Sequence, residues 1–397
     1  MWRKRRTYLD RAAGAAGNPS SPHEEGRRAK KLLEDARTSI ARLVEVQSDD
    51  VIFTSGATES NALAILGHVR ALRARAGRDA PGRNNMHVLY LPSSHASIVE
   101  NVKILEEEGV AIEVLPIREY RVDTDALAKM LRPETVLVAM DAVCGETGVI
   151  WNTREVSDVL RKAREAKKQF SHTQASTEKT AFLPRVLLHV DASQAPLTEK
   201  ITRDHFGADT LTFDASKVGP MHGFGVLVAH RTIPLVPLYR GGGQERGLRP
   251  GTESPELAQS FAAALRAAAL SRESFRAAAG LERERLTRLI TGPIPDARIH
   301  EGRSQAPNIL NLSLPGRDTD YVLALLDEAG FAVSSRSACE TDAEDGSRAV
   351  FALTGDREQA RTTVRISWGP ETSARSLARF ARALVEAVAF IDSNRQR

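Results

Sequence analysis

The sequence predicts an α/β fold, with a large, mostly parallel sheet covered by helices and a smaller α/β unit near the C-terminus. Three features carry that expectation. Short β-rich runs alternate with helical patterns: VIFTSG from Val51, HVLYL from His87, VAIEVLP from Val110, TVLVAM from Thr135, VLLHVD from Val186, TLTF from Thr210 and GVLVAH from Gly225. An alanine-rich stretch from Pro255 to about Leu289 predicts one or two long helices leaving the sheet. Beyond GPIPD, at Gly292 to Asp296, a second unit begins; Leu377, Phe380, Leu384, Val388 and Ile391 recur there at helical spacing.

Two local patterns refine this. Asn152 with Glu155 resembles a capping box before VSDVLRKA, so a helix is expected to start there. The polar segment KKQFSHTQASTEK, from Lys167 to Lys179, lacks periodicity and reads as a surface insertion.

Composition excludes several classes. At 397 residues the chain can bury a substantial core. Lys and Arg number 55 against 51 Asp and Glu, a scattered excess that gives no nucleic-acid footprint. The basic run WRKRR at Trp2 to Arg6 meets YLD without an apolar h-region, so it reads as an exposed terminus rather than a signal peptide. No run has the apolar length to cross a bilayer. Two cysteines, Cys144 and Cys339, make no disulfide framework and favour a reducing cytoplasm.

In parallel sheets ligands collect at the carboxyl ends of the strands, and three such ends stand out. After VIFTS, the GATES turn opens a helix whose first amides, at Ala57 and Thr58, would be free to bind an anion. After VLLHV comes Asp191, an acid with Gln194 one turn on; alone it reads best as a helix cap. After TLTF comes DASKVGP, with Lys217 set among small residues where burial could desolvate its amine. Together, phosphate cradle, acid and lysine are what pyridoxal 5'-phosphate requires. The lysine bonds to its aldehyde carbon, the acid keeps its ring nitrogen protonated, and Gly219, Gly223 and Gly225 would let backbone approach it closely.

At these residues the chain resembles the cysteine desulfurases, pyridoxal-phosphate enzymes of the class V aminotransferase type. The matching stretches run from end to end: YLD at Tyr8, GNPSSPHEEGRRA from Gly17, VIFTSGATESNALAILG, SSHASIVEN from Ser93, HVDASQ from His189, RGGGQERGLRPGT from Arg240, APNILN from Ala306, VSSRSAC from Val333 and VRISWG from Val364. The resemblance implies a fold type I transferase, with residues 20–292 as the large domain. Residues 1–19 and 293–397 would form the small one, carrying the catalytic cysteine loop.

It also implies roles. His95 would stack on the cofactor ring and shuttle protons, while Ala57, Thr58 and Ser216 would hold the phosphate and Gln194 the ring hydroxyl. Thr252 would reach the other subunit's phosphate in a homodimer, Arg365 would grip the substrate carboxylate, and Cys339 would be the nucleophile. No metal is expected. The reaction implied is removal of sulfur from L-cysteine to leave L-alanine and a persulfide, passed to an iron–sulfur scaffold or a sulfur carrier.

Glu340, Asp342, Glu344 and Asp345 follow Cys339, and such negative charge should favour a protonated thiol at rest, with Gly346 as a hinge for the loop. Cys144 reads as a small buried hydrophobe.

The chain departs from the pattern at four places. Cys144-Gly145-Glu146 replaces an asparagine-bearing run beside the ring, Asp214 and Ser216 replace a serine and a histidine before the lysine, and the segment ahead of GNPSS is short, as though part of the substrate entrance were missing. Asp214, if it faced the phosphate, would repel it. Two alternatives follow: a selenocysteine lyase or related class V enzyme, or a weakly active to non-catalytic dimeric homologue acting as a binding partner.

Overall fold

The computed structural model describes residues 7–15, 17–75, 85–173, 185–335 and 346–395. Its main sheet has seven strands: β1 (Val51–Thr54), β2 (His87–Tyr90), β3 (Ala111–Val114), β6 (Thr135–Asp141), β7 (Leu187–Asp191), β8 (Thr210–Asp214) and β9 (Gly225–Ala229), in the order β1-β9-β8-β7-β6-β2-β3. Strands β8, β7, β6, β2 and β3 run parallel, and β9 is antiparallel to both β8 and β1. A small hairpin, β4 (Ile117–Arg118) with β5 (Arg121–Val122), lies apart. The central strands β6, β7 and β9 are buried along their whole length, as strands covered on both faces must be, whereas β3 at the edge is partly exposed.

The covering helices follow from apolar spacing. Helix α1 (Glu24–Val44) buries Ala29, Leu33, Ala36, Ile40, Ala41 and Val44 on one stripe. Helix α2 (Ala57–Ala62) continues through a π-helical turn at Leu63–Gly67 into α3 (His68–Arg75), one unbroken run after β1. Then come α4 (Ala96–Glu107), α5 (Thr124–Met130), α6 (Thr153–Thr173) and α7 (Arg203–Phe206). The start expected near Asn152 is observed, with a difference in detail: Asn152 binds Glu155 but also spans to β5, its Oδ1 accepting from the Val122 amide. The polar segment from Lys167 begins as the last turns of α6, while its remainder beyond Thr173 lies outside the described residues.

The alanine-rich stretch forms one helix of 37 residues, α8 (Pro255–Thr291), with proline at its start. It places Phe261 and Leu265 in the core of the large sheet and Leu286 and Ile290 in a second core. That second core lies against an antiparallel sheet of β10 (Arg298–Ile299), β11 (Ile309–Ser313) and β12 (Thr363–Ser367). Helices α9 (Thr319–Glu328), α10 (Arg348–Thr354), α11 (Arg357–Arg361) and α12 (Ala374–Arg395) complete the chain. The stripe expected on α12, from Leu377 to Ile391, is wholly within this core.

One buried ion pair ties α1 and β1 to the glycine-rich loop after β9. Both guanidinium nitrogens of Arg37 donate to the Glu245 carboxylate at 2.7 and 2.8 Å, and the Phe53 amide donates to the same carboxylate at 2.8 Å. Glu245 and Arg246 hold positive φ of 47° and 62°, so these contacts oppose backbone strain. Glu245→Ala would leave the buried Arg37 without its bidentate partner, with the exposed Glu34 carboxylate and the Val51 carbonyl remaining. A loss of about 3–5 kcal/mol in urea-unfolding free energy is the expected result, against near-neutrality if the pair were dispensable.

Candidate active site

The site grows from the end of β7. Asp191 is buried there, its Oδ1 accepting from the Ser193 amide at 2.9 Å and its Oδ2 from Asn61 Nδ2 at 2.7 Å. Asn61 itself is fully buried on α2. Its Nδ2 also donates to Ser97 Oγ on α4 at 2.8 Å, and its Oδ1 meets His189 Nε2 at 2.9 Å. Burial lowers the His189 pKa to about 4, so the neutral ring lies between Asn61 and Thr210 Oγ1. One amide thus joins α2, β7 and α4.

His95 caps α4. Its Nδ1 accepts from the Ser97 amide at 3.2 Å and lies 2.8 Å from Ser97 Oγ, which leaves the imidazole proton on Nε2 of an exposed ring. Beside it, Ser94 Oγ donates to Asp141 at the end of β6, 2.7 Å away and opposite Asp191 in the sheet register. Burial, opposed by that bond and reinforced by the Asp191 charge, pushes Asp141 up to about 7. The shift toward the protonated form lessens the buried charge at the strand ends.

Gln194 packs on Gly145: a Cβ at Gly145 would sit 3.1 Å from Gln194 Nε2. The amide of Gln194 therefore borders the space opened by the missing side chain. Arg365, on β12, donates to the Gly145 carbonyl at 3.2 Å, and its backbone pairs with Ser334. Glu146 takes a hydrogen bond from Ser347 at 2.6 Å, and Asn311 donates to its carbonyl. Ser334 and Ser347 flank the segment that carries Cys339, which lies outside the described residues together with Glu340, Asp342, Glu344 and Asp345. The two ends of that segment are thereby fastened to the wall that holds Arg365.

Lys217 closes a short turn, Ala215–Lys217, after β8. Here the structure corrects the sequence: Lys217, three residues past the end of β8, is exposed rather than buried. The glycines around it also have reasons within the fold. A Cβ at Gly225 would meet the Gly56 backbone at 2.7 Å, one at Gly219 would meet Met221, and Gly223 holds a φ of 71°. Gly346, expected as a hinge, holds a φ of 82° and packs against Ala360, where a Cβ would lie 2.5 Å from a carbonyl oxygen.

At the anion end, Thr58 is exposed, and the Ala57 amide donates to Asp214 Oδ2 at 2.9 Å. The amide and hydroxyl of Ser216 both donate to Asp214 Oδ1, at 2.9 and 2.6 Å. The expected phosphate ligands Ala57 and Ser216 are in this way satisfied by a side chain of the protein. Thr252 is exposed on the loop that Glu245 anchors. Cys144 is fully buried, and burial pushes its thiol up to about 12. A cavity of about 770 Å³ lined by Arg154, Arg164 and Asp209 opens at the opposite, amino end of the strands and contains none of these residues.

A fold of this kind, with an acid, a histidine and a lysine gathered at the strand ends, defines the fold type I transferases. The chain belongs to the aminotransferase class V family, whose pattern matches residues 4–178 and 179–380. It is 32% identical to the mitosomal cysteine desulfurase of Encephalitozoon cuniculi, over 94% of this chain and 80% of that one. It is 31% identical to the selenocysteine lyase of Bos taurus, over 95% of this chain and 88% of that protein. A solved NifS-like protein, 24% identical, superposes with a TM-score of 0.80 over 94% of this chain and 92% of its own.

The family is pyridoxal-phosphate dependent. The residues fit the ring: Asp191 is immobilised yet keeps acceptor capacity on both oxygens. At the phosphate end, two of the three residues expected to hold the group, Ala57 and Ser216, already face Asp214, while Thr58 is exposed beside them.

Sequence reasoning missed Asn61, His189, Ser97 and Asp141. The available signal was a polar side chain within an apolar helix or strand, ordinary when seen alone. The shifted carboxyl of Asp141 yields a pH test. Its pKa is raised from 3.8 to about 7, so the folded state holds an extra proton and loses stability as pH rises across that window. Asp141→Asn keeps the acceptor for Ser94 and removes the charge. Its melting temperature relative to the parent should climb from pH 5 to pH 8; a constant difference would contradict the assignment.

Proposed function

We propose that the protein is a cysteine desulfurase, converting L-cysteine to L-alanine while Cys339 takes the sulfur as a persulfide. The observation that best supports this is the placement of Arg365. One side chain on β12 borders Gly145 at the ring end, and the same residue's backbone pairs with Ser334, five residues before the cysteine. A carboxylate gripped by Arg365 would place its amino acid between the ring end and the loop that carries the nucleophile.

Bound pyridoxal phosphate supplies an electron sink next to the substrate α-carbon. Lys217 would hold its aldehyde carbon, Asp191 its ring nitrogen and Gln194 its ring hydroxyl. His95, with its proton on Nε2, serves as the proton carrier on the exposed face of the site. Arg365 orients the substrate. The Cys339 sulfur attacks the substrate sulfur, the bond between that sulfur and the substrate β-carbon breaks, and the carbon gains a proton to become the methyl of alanine.

The wider assignment belongs to the same proposal. It comprises a large domain of residues 20–292 with a small one from 1–19 and 293–397, a homodimer in which Thr252 reaches the neighbouring phosphate, an iron–sulfur scaffold or sulfur carrier as acceptor, and a cytoplasmic location. Selenocysteine lyase is the competing reading, supported by a likeness to the bovine enzyme almost equal to that of the mitosomal desulfurase.

Alanine release from L-cysteine and from L-selenocysteine, measured side by side, separates the two. Turnover of L-cysteine is expected, with Cys339→Ala lowering sulfur transfer at least ~100-fold and Cys144→Ala leaving it unchanged, since that thiol is buried and protonated. Undiminished sulfur transfer by Cys339→Ala would overturn the nucleophile assignment, and turnover confined to L-selenocysteine would overturn the desulfurase one.

A further inference from the structure

We propose that Asp214 is a resident anion in the phosphate cradle, so that the site holds pyridoxal almost as well without its phosphate as with it. The inference rests on the pyridoxal-phosphate reading of the site and concerns the end of it that departs from the family.

The cradle is built by the meeting of two strand ends and a helix. Asp214 is the last residue of β8 and pairs with Gly225 of β9. Gly225 lies directly on the Gly56 backbone, a contact any side chain would prevent, and Gly56 holds a φ of 145°. The end of β8 is therefore pressed against the start of the helical run 57–75, and the Asp214 carboxylate meets its first amide. A Cβ at Gly56 would itself lie 3.2 Å from Asp214 Oδ2.

Three donors hold that carboxylate: the Ala57 amide at 2.9 Å, the Ser216 amide at 2.9 Å and the Ser216 hydroxyl at 2.6 Å. These are the groups a phosphate would need. The positive end of the helix and the free N–H groups are what make such a place attract an anion, and here a carboxylate attached to the chain already supplies the charge. A second carboxylate on the same turn, Glu59, takes the Ser55 amide at 2.5 Å and the Tyr239 hydroxyl at 2.6 Å, and its charge is offset by Arg249 at 3.5 Å.

A phosphate entering this place must displace Asp214 from its donors or stand beside its carboxylate. Either course removes the advantage that phosphate gives the cofactor elsewhere. The ring contacts of Asp191, Gln194 and Lys217 are the same for both forms. Discrimination between pyridoxal and pyridoxal phosphate is thus set by residue 214.

The test measures dissociation constants for pyridoxal and pyridoxal phosphate by equilibrium dialysis against the full-length protein, Asp214→Ser and Asp214→Asn. The parent should bind the two within about tenfold of each other. Asp214→Ser should tighten pyridoxal phosphate by about ten- to a hundredfold, the worth of hydrogen bonds to a charged group, and leave pyridoxal unchanged. Asp214→Asn, which keeps the size and an acceptor for the Ser216 amide, should move the same way. Inorganic phosphate should raise the melting temperature of Asp214→Ser and not of the parent.

A parent that already prefers pyridoxal phosphate by more than about a hundredfold would overturn the proposal while leaving the cofactor reading intact. So would variants that shift both ligands equally. Binding of neither ligand to any of the three proteins would overturn the cofactor reading and the proposal together.

Discussion

A carboxylate buried at the end of a central strand must be met by donors, and the way Asp191 is met organises the whole site. Leaving such a group unpaired would cost more than one ordinary hydrogen bond returns. Asn61 supplies the bond from the fifth residue of α2, and because it also reaches Ser97 and His189 it fixes the helix, the His95 cap and the strand end relative to one another. Asp141, one strand away in register, is raised to about 7 in part by the same charge. The second carboxyl at the strand ends is thereby pushed toward its protonated form.

The opposite end of the cofactor site runs under another rule. Around Asp191 buried groups converge on one acid, whereas around Asp214 the donors of a helix start converge on a half-exposed one. The two ends are linked through α2, which gives Ala57 to Asp214 and Asn61 to Asp191 within five residues. Movement of that helix start would disturb both. The Arg37–Glu245 pair restrains it from behind, through β1 and the loop after β9.

Much of the architecture could be read from the chain, because burial on both faces of a sheet writes itself as continuous apolar runs and helix stripes repeat at a fixed spacing. All seven expected strand runs have counterparts, and α8 ends within a few residues of its expected limit. Motif residues at strand ends were readable for the same reason, since chain order places Asp191, Lys217 and the GATES turn after strands. What could not be read was which polar side chains meet across long separations. Asn61 and Asp191 lie 130 positions apart, and nothing local distinguishes that asparagine from a solvated one. The exposure of Lys217 and the steric roles of Gly225 and Gly346 depend on how elements abut, which periodicity does not encode. The side chain of Asp214 could have faced either way on sequence grounds; in the fold it meets the Ala57 amide, beside the packing of Gly225 on Gly56.

If Asn61 is what organises the ring end, removing its side chain should release Asp191 while leaving the sheet in place. The decisive measurement is the affinity of Asn61→Ala for pyridoxal phosphate, taken with its far-ultraviolet circular dichroism. We expect a native-like spectrum with affinity weakened by about tenfold or more, as the loss of a hydrogen bond to a buried charge implies. A folded Asn61→Ala protein that bound the cofactor as tightly as the parent would contradict this view of the site.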